Sequence, residues 1–283
     1  MALRIGDIVT RQSYGEDILF RVTDIKEKEK IAILKGLDFR LIADAPLKDL
    51  KKASHKQVIK RQEIYKNKTR DCISRKIRQR HSSKSGVRGN PVSRSAYFEI
   101  PGKVLHLDGD KEYLEESLGV YSKLEMNVKG FHVPEKKQPE VLGRLLEKHN
   151  PDILVLTGHD AFLKGKKNFQ DVNNYRHSRF FLQSVKIARK YEPNKDSLII
   201  YAGACQSHYE SLIAAGANYA ASPQRVFIHN LDPVFITEKV AYTSIIKSVD
   251  ISDVINDTIT GIDGIGGIET RGTFRVGLPE SPY

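Results

Sequence analysis

Several things are scarce in this chain of 283 residues, and each scarcity excludes something. There are two cysteines, Cys72 and Cys205, too few for a disulfide framework. That suits a reducing compartment or a thiol kept for chemistry. No run of 18 or more apolar residues occurs, so no membrane-spanning helix is expected. The opening "MALRIGDIVTRQ" lacks a basic start followed by an apolar block, so no secretory signal is read. No His/Cys/Asp cluster has metal-ligand spacing, and no cofactor is expected. The glycine-rich "GIDGIGGIETRG" has no Walker lysine and does not sit between a strand and a helix, so it reads as a turn or substrate-side loop. These absences describe a protein made in the cytoplasm and kept off the membrane.

Positive charge is abundant but concentrated. The chain carries a formal net charge of +11. Residues 51–94 hold 15 Lys and Arg against Glu63 and Asp71, so that stretch alone is +13 and the remainder is −2. The excess therefore marks one segment, and nucleic acid is not the expected partner of the folded parts.

The chain divides into three stretches. Residues 1–50 contain "DIVTRQ", "DILFRVTDI", "KIAILKG" and "FRLIADA", short alternating strands that predict a small SH3-like β-barrel. Residues 51–97 have partial helical spacing and then a Ser/Gly/Arg-rich run, which predicts a basic flexible linker open to proteolysis or to polyanions. Residues 98–283 alternate strand and helix patterns, from "GKVLHLDGD" through "DILVL" and "SLIIYAG" to "GTFRVGLP". That succession predicts an α/β domain, a mostly parallel sheet with helices on both faces.

In such sheets ligands bind where strands end and loops lead into helices. "DILVLTGHD" delivers His159 to one such point and "SLIIYAGACQSH" delivers Cys205 to another, 46 residues later. A thiolate is a competent nucleophile, and an imidazole can stabilise it and then protonate a leaving amine. Cys205 is placed at the opening of the helix "SHYESLIAAG", where the positive dipole end would favour the thiolate. Gly203 removes bulk beside the sulfur, and the Cys205 backbone N–H with donors of the turn from Thr157 through Gly158 to Asp160 is expected to form an oxyanion hole. Asp160 either orients His159 or caps the next segment. His208 is a rival partner, and plain packing roles for both residues remain open at this point. Two other readings compete: a non-catalytic scaffold that docks coat components or polyanions through the barrel and linker, and a non-proteolytic cysteine hydrolase.

The pairing of "LVLTGHD" with "IIYAGACQSH" resembles cysteine peptidases with a caspase-like, flavodoxin-like sheet, in which His and Cys each follow an apolar strand. The longer set "PGKVLHLDGD", "PDILVLTGHDA", "NYRHSRFF", "AGACQSHYESLIAAGANYAASPQRV", "IHNLDPV" and "GGIETRG" resembles the YabG-type sporulation-specific cysteine protease family. So do "IGDIVTRQSYGEDILFRVTDI" and "RLIADAPLKDL". The resemblance implies a peptidase of the mother-cell compartment acting on spore-coat and other spore-layer proteins, cleaving beside arginine. It implies Cys205 as nucleophile and His159 as general acid/base. Asp160 stands where caspase-like enzymes usually have glycine, which leaves the second oxyanion donor open. A basic residue at the cleavage site calls for a carboxylate in its pocket. Asp108 and Asp110 are the candidates, with Asp232 a weaker third, although "DGD" is also good turn and cap chemistry. Self-cleavage in the linker, at Arg75, Arg80 or Arg94, follows as an expectation.

Overall fold

A computed structural model describes residues 3–84 and 98–279. The N-terminal part is a five-stranded antiparallel sheet in the order β4-β3-β2-β1-β5, built from β1 (Ile8–Arg11), β2 (Phe20–Lys26), β3 (Ile31–Gly36), β4 (Ile42–Pro46) and β5 (Leu50–Lys52). Its inward positions, Val9, Phe20, Val22, Ala32 and Leu34, are buried. One difference from the sequence expectation matters below. The strand expected over "FRLIADA" begins only at Ile42, because residues 37–41 leave the sheet and run towards the second half of the chain.

The expected flexible linker is largely a helix. Helix α1 covers His55–Lys84. Its sequence is polar almost throughout, yet it is fastened by a few anchors: Cys72 is buried, and the Lys76 ammonium reaches Glu238 at 2.8 Å and Asp257 at 3.1 Å. Arg80 adds Glu238 at 2.8 Å and lies over the Tyr242 ring, 3.6 Å from its centroid. A polar helix needs such tertiary anchors, because its propensity alone gives marginal stability. Arg75 and Arg80, expected as cleavage sites, are helical and ion-paired and do not present the unfolded backbone that proteolysis favours. Arg94 lies outside the described residues.

The second half is a three-layer α/β unit. Its six-stranded sheet runs β13-β11-β10-β9-β7-β8, from β7 (Val104–Asp108), β8 (Val128–His132), β9 (Ile153–Thr157), β10 (Ile199–Ala202), β11 (Tyr219–Ala221) and β13 (Ile265–Gly267). The first five strands in sequence are parallel and β13 is antiparallel at the edge. β7, β9 and β10 are buried at every position, as their continuous apolar runs require. Alternate residues feed two cores. Leu105, Leu107, Leu154, Leu156, Ile200 and Ala202 pack under α3 (Gln138–His149), α4 (Ser178–Tyr191) and α5 (Tyr209–Ala214). Val104, Ile153, Val155, Ile199 and Tyr201 face α2 (Lys111–Lys123) and α6 (Asp232–Tyr242), in a core continuous with that of the N-terminal sheet.

Strand order also corrects the expected C-terminal half. The fifth parallel strand is "YAA" at 219–221; the segment "RVFIHN" after it is not a strand of the sheet. The last strand of the sheet comes from the glycine-rich segment that was expected to be a turn. The "GTFRVGLP" stretch instead forms β15 (Arg275–Gly277), which pairs with β6 (Phe98–Ile100), and a second short pair joins β12 (Ser248–Val249) to β14 (Thr270–Arg271). Numbered within the unit, the parallel strands run 2-1-3-4-5, which puts the crevice of the sheet between β7 and β9 at their carboxyl ends.

Candidate active site at the carboxyl ends of β7, β9 and β10

β9 and β10 are direct neighbours, with Leu156 opposite Ala202. His159 and Cys205 each lie three residues past that register pair, on strands about 4.8 Å apart. The Thr157 hydroxyl donates to the Gly203 carbonyl at 3.0 Å and ties the two strand ends together. Gly203 has φ +107, a conformation that glycine adopts at no steric cost, and it turns the chain out of β10.

The imidazole of His159 is held by a carboxylate. Its Nε2 lies 2.8 Å from Asp110 Oδ2, and the ring packs beside Tyr113 at 5.5 Å between centroids. Asp110 is also the N-cap of α2, accepting from Glu112 and Tyr113 backbone N–H groups, and it receives the Lys35 ammonium at 2.7 Å from the N-terminal sheet. Burial acts to raise the Asp110 carboxyl, but the His159 and Lys35 bonds outweigh it and hold it well below the usual carboxylate range. With Nε2–H donated to Asp110, the other ring nitrogen, Nδ1, is left buried with no partner among the described residues. That is the arrangement of an oriented imidazole with a free lone pair. Asp110, expected as a candidate for a basic-side-chain pocket, is thus engaged here by His159, Lys35 and the start of α2.

Glu135 fixes the loop itself. Its Oε1 accepts the His159 backbone N–H at 2.7 Å. A Cβ at Gly158 would overlap that carboxylate, so only glycine lets Glu135 approach. Gly158→Ala is expected to displace Glu135 and destabilise the protein by about 1–3 kcal/mol, read as a lowered thermal midpoint. Glu135 was not singled out from sequence. Nothing in "VPEKKQPE" distinguishes it from a surface carboxylate.

Asp160 does not touch the His159 ring. It is buried and gathers donors from Ala161 N–H, His177 N–H at 2.7 Å, Ser207 Oγ at 2.9 Å and Ser178 Oγ. It thus joins the start of α4 to the loop that carries Cys205, and of the two roles expected for it the capping one holds. His208 is excluded as a partner for the thiol: it caps α5, accepting from Ser211 N–H at 3.2 Å, while its Nε2 meets the Gln170 carbonyl at 3.0 Å.

Cys205 sits four residues ahead of α5, so no helix dipole acts on it, contrary to the sequence expectation. It lies in a tight turn followed by Gln206 at φ +56, with Ala204 N–H donating to Ser207 Oγ at 2.9 Å. Its Sγ accepts the Ile228 backbone N–H at 3.1 Å and is fully buried. Burial pushes the thiol up to about 12, against the Ile228 bond and the Arg40 charge, which lower it. The sulfur and the His159 ring make no hydrogen bond to each other among the described residues. The backbone N–H groups of His159, Gly203 and Ala204 are all engaged, so none is a free oxyanion donor in this state.

Asp108 closes the rim. At the end of β7 it is fully buried, accepts Asp110 N–H at 2.9 Å and pairs with the Arg40 guanidinium at 2.6 Å. Burial would raise its carboxyl, but Arg40 prevails and lowers it to about 2. Asp232, the third candidate, is used up in accepting Ile259 N–H at 2.7 Å and the Thr260 hydroxyl. Burial raises it to about 6. The signs are opposite: Asp108 and Asp110 add stability above about pH 4 that is lost as pH falls towards the lowered values, whereas Asp232 subtracts stability as pH rises from about 4 towards 6. The Asn variant of Asp232 is accordingly expected to flatten the pH 4–6 part of a thermal-midpoint profile and leave the acid limb in place.

A buried imidazole–carboxylate pair and a cysteine thus stand at neighbouring strand ends of a parallel α/β sheet. The chain matches the family described as YabG peptidase U57 over residues 4–279, and it belongs to that family. It is therefore a peptidase. It is 45% identical to the sporulation-specific protease YabG of Bacillus subtilis (strain 168), over 99% of both chains. No solved structure gives a significant match. No helix among the described residues is long and apolar enough to cross a membrane. The reading in which the α/β unit is inert and only docks partners is set aside by the family.

Proposed function

We propose that this sporulation peptidase is a cysteine endopeptidase with Cys205 as nucleophile and His159 as general acid/base, oriented by Asp110. The observation that carries the reading is the His159 ring: Nε2 is committed to Asp110, Nδ1 is buried without a partner, and the residue stands in register with Cys205 across β9 and β10. In the working state Nδ1 takes the Cys205 proton, the thiolate attacks the scissile carbonyl, and the imidazolium protonates the leaving amine. The same placement of His and Cys after adjacent apolar strands supports a caspase-like sheet, and the curved five-stranded unit before it supports an SH3-like barrel.

Asp108 is the residue that selects a basic side chain. It is a buried carboxylate held ionised, at the rim of the strand beside His159, and a guanidinium already lies against it. Arginine is favoured over lysine because a planar fork can also reach the Asn230 carbonyl, as Arg40 does at 2.9 and 3.2 Å. The substrates are spore-coat and related spore-layer proteins, met in the mother-cell compartment, as expected for a relative of a sporulation-specific protease. Cleavage of an arginine-containing coat protein by wild type, and its loss in Cys205→Ala, tests the reading; retained cleavage in that variant ends it.

A further inference from the structure

Residues 38–41, between β3 and β4 of the N-terminal unit, occupy the rim of the site. The segment crosses from β3 to the loop after β11 and pairs with it through one antiparallel bridge and its flanking main-chain hydrogen bonds. Phe39 forms a bridge with His229, Arg40 N–H donates to the Ile228 carbonyl at 3.2 Å, and Asn230 N–H donates to the Asp38 carbonyl at 3.1 Å. Ile228 is the residue whose other backbone group, its N–H, holds the Cys205 sulfur. The backbone of Arg40 is therefore a single residue removed from the nucleophile. Its side chain is fully buried, with Nη1 on Asp108 and Nε and Nη2 on the Asn230 carbonyl.

A buried guanidinium is costly unless its donors and charge are met, so the pocket around Arg40 is built for that group. Main-chain pairing with an exposed edge, plus a pocket for one side chain, is how extended peptides are recognised. The Tyr113 hydroxyl, donating to the Gly36 and Phe39 carbonyls at 2.7 and 2.8 Å, holds the segment down. Leu41 N–H turns back to the Phe39 carbonyl at 2.7 Å, so the chain bends sharply at Arg40 instead of continuing extended.

We propose that residues 38–41 are a built-in occupant of the substrate cleft, an arginine-bearing strand that mimics a peptide substrate and keeps the peptidase closed until it is displaced. This rests on the cysteine-peptidase reading above and adds a partner for it: the chain's own N-terminal unit. The bend at Arg40 explains how an arginine can sit in the pocket without presenting an extended peptide for attack. The peptide that replaces it runs antiparallel to residues 228–230 and places its own arginine on Asp108.

The test uses the full-length protein. Hydrolysis of a short fluorogenic peptide ending in arginine and carboxamidomethylation of Cys205 by iodoacetamide, read by peptide mapping, are compared in wild type, Arg40→Ala and Phe39→Ala. Cys205→Ala serves as the blank for hydrolysis. Wild type is expected to hydrolyse and alkylate slowly. Both variants are expected to be faster by about tenfold or more in each readout, since apparent activity scales with the open fraction. Phe39→Ala removes the ring that packs on Tyr65 and His229 but leaves Asp108 paired, so it gives the answer if Arg40→Ala does not fold. Equal rates in wild type and in a folded variant overturn the occupancy. Hydrolysis that survives Cys205→Ala overturns the catalytic assignment instead, and the alkylation rates still decide whether the segment covers the sulfur.

Discussion

With the proposed Cys205–His159 pair, cleavage of a protein substrate is expected to fall by about a thousandfold or more in Cys205→Ala, and comparably in His159→Ala, with both proteins still folded. The two losses are not additive. A thiol without a base is not ionised, and a base without a thiol has nothing to activate, so the double variant resembles either single one. Folding is spared for different reasons. Cys205 contributes a small side chain whose sulfur meets only the Ile228 main chain, at 3.1 Å to its N–H and 3.8 Å to its carbonyl, and when the His159 ring is removed Asp110 keeps Lys35 and its two cap bonds. Asp110→Asn separates orientation from chemistry: the amide keeps a polar partner for His159 but loses the charge that steadies the imidazolium, and the expected signature is a lower kcat with little change in KM. Rates on one coat-derived protein, with thermal midpoints beside them, check all of these.

The second large effect is on stability. Asp108→Ala leaves the Arg40 guanidinium buried with no counter-charge, and the expected cost is about 3–5 kcal/mol. The pair joins the N-terminal unit to β7, so the loss is felt at their shared core, where Val9, Leu34 and Leu50 are continuous with Val104 and Tyr201. Arg40→Met with Asp108→Leu, an apolar pair of similar volume, should recover much of that stability in urea unfolding. It should not recover cleavage after arginine. A double variant that is stable but indifferent to arginine separates what the pair does for the fold from the specificity role proposed for Asp108. A double variant as unstable as Asp108→Ala would mean that packing, not unpaired charge, set the cost.

Much of this was legible in the sequence because the parallel strands are apolar runs bounded by turns. "VLHLD", "ILVLT" and "IIYA" could be placed as central strands, and the residues at their carboxyl ends followed from that. What could not be read depends on distant partners. Helix α1 has little apolar pattern, and the acids that hold Lys76, Glu238 and Asp257, lie more than 150 residues away. The strand at 265–267 is nearly all glycine, and it forms because β11 offers it an edge. Asp110 looked like a capping residue and is one. Its second duty, to His159, needed β7 and β9 to be neighbours, and no local pattern states that. Arg40 was hidden for the same reason, since its pocket is assembled from residues 68 and 190 positions away.

Helix α1 has one more consequence. Thirty residues at about 1.5 Å each make a strut about 45 Å long, gripped along its second half by Glu238 of α6 and by Asp257 and continuous through Ala53 and Ser54 with the small antiparallel unit. A cap on such a tether never drifts off: its local concentration at the cleft is set by chain geometry and not by the amount of protein in solution. Diluting the enzyme therefore does not wake it, whereas a competing polypeptide that takes the place of residues 38–41 does.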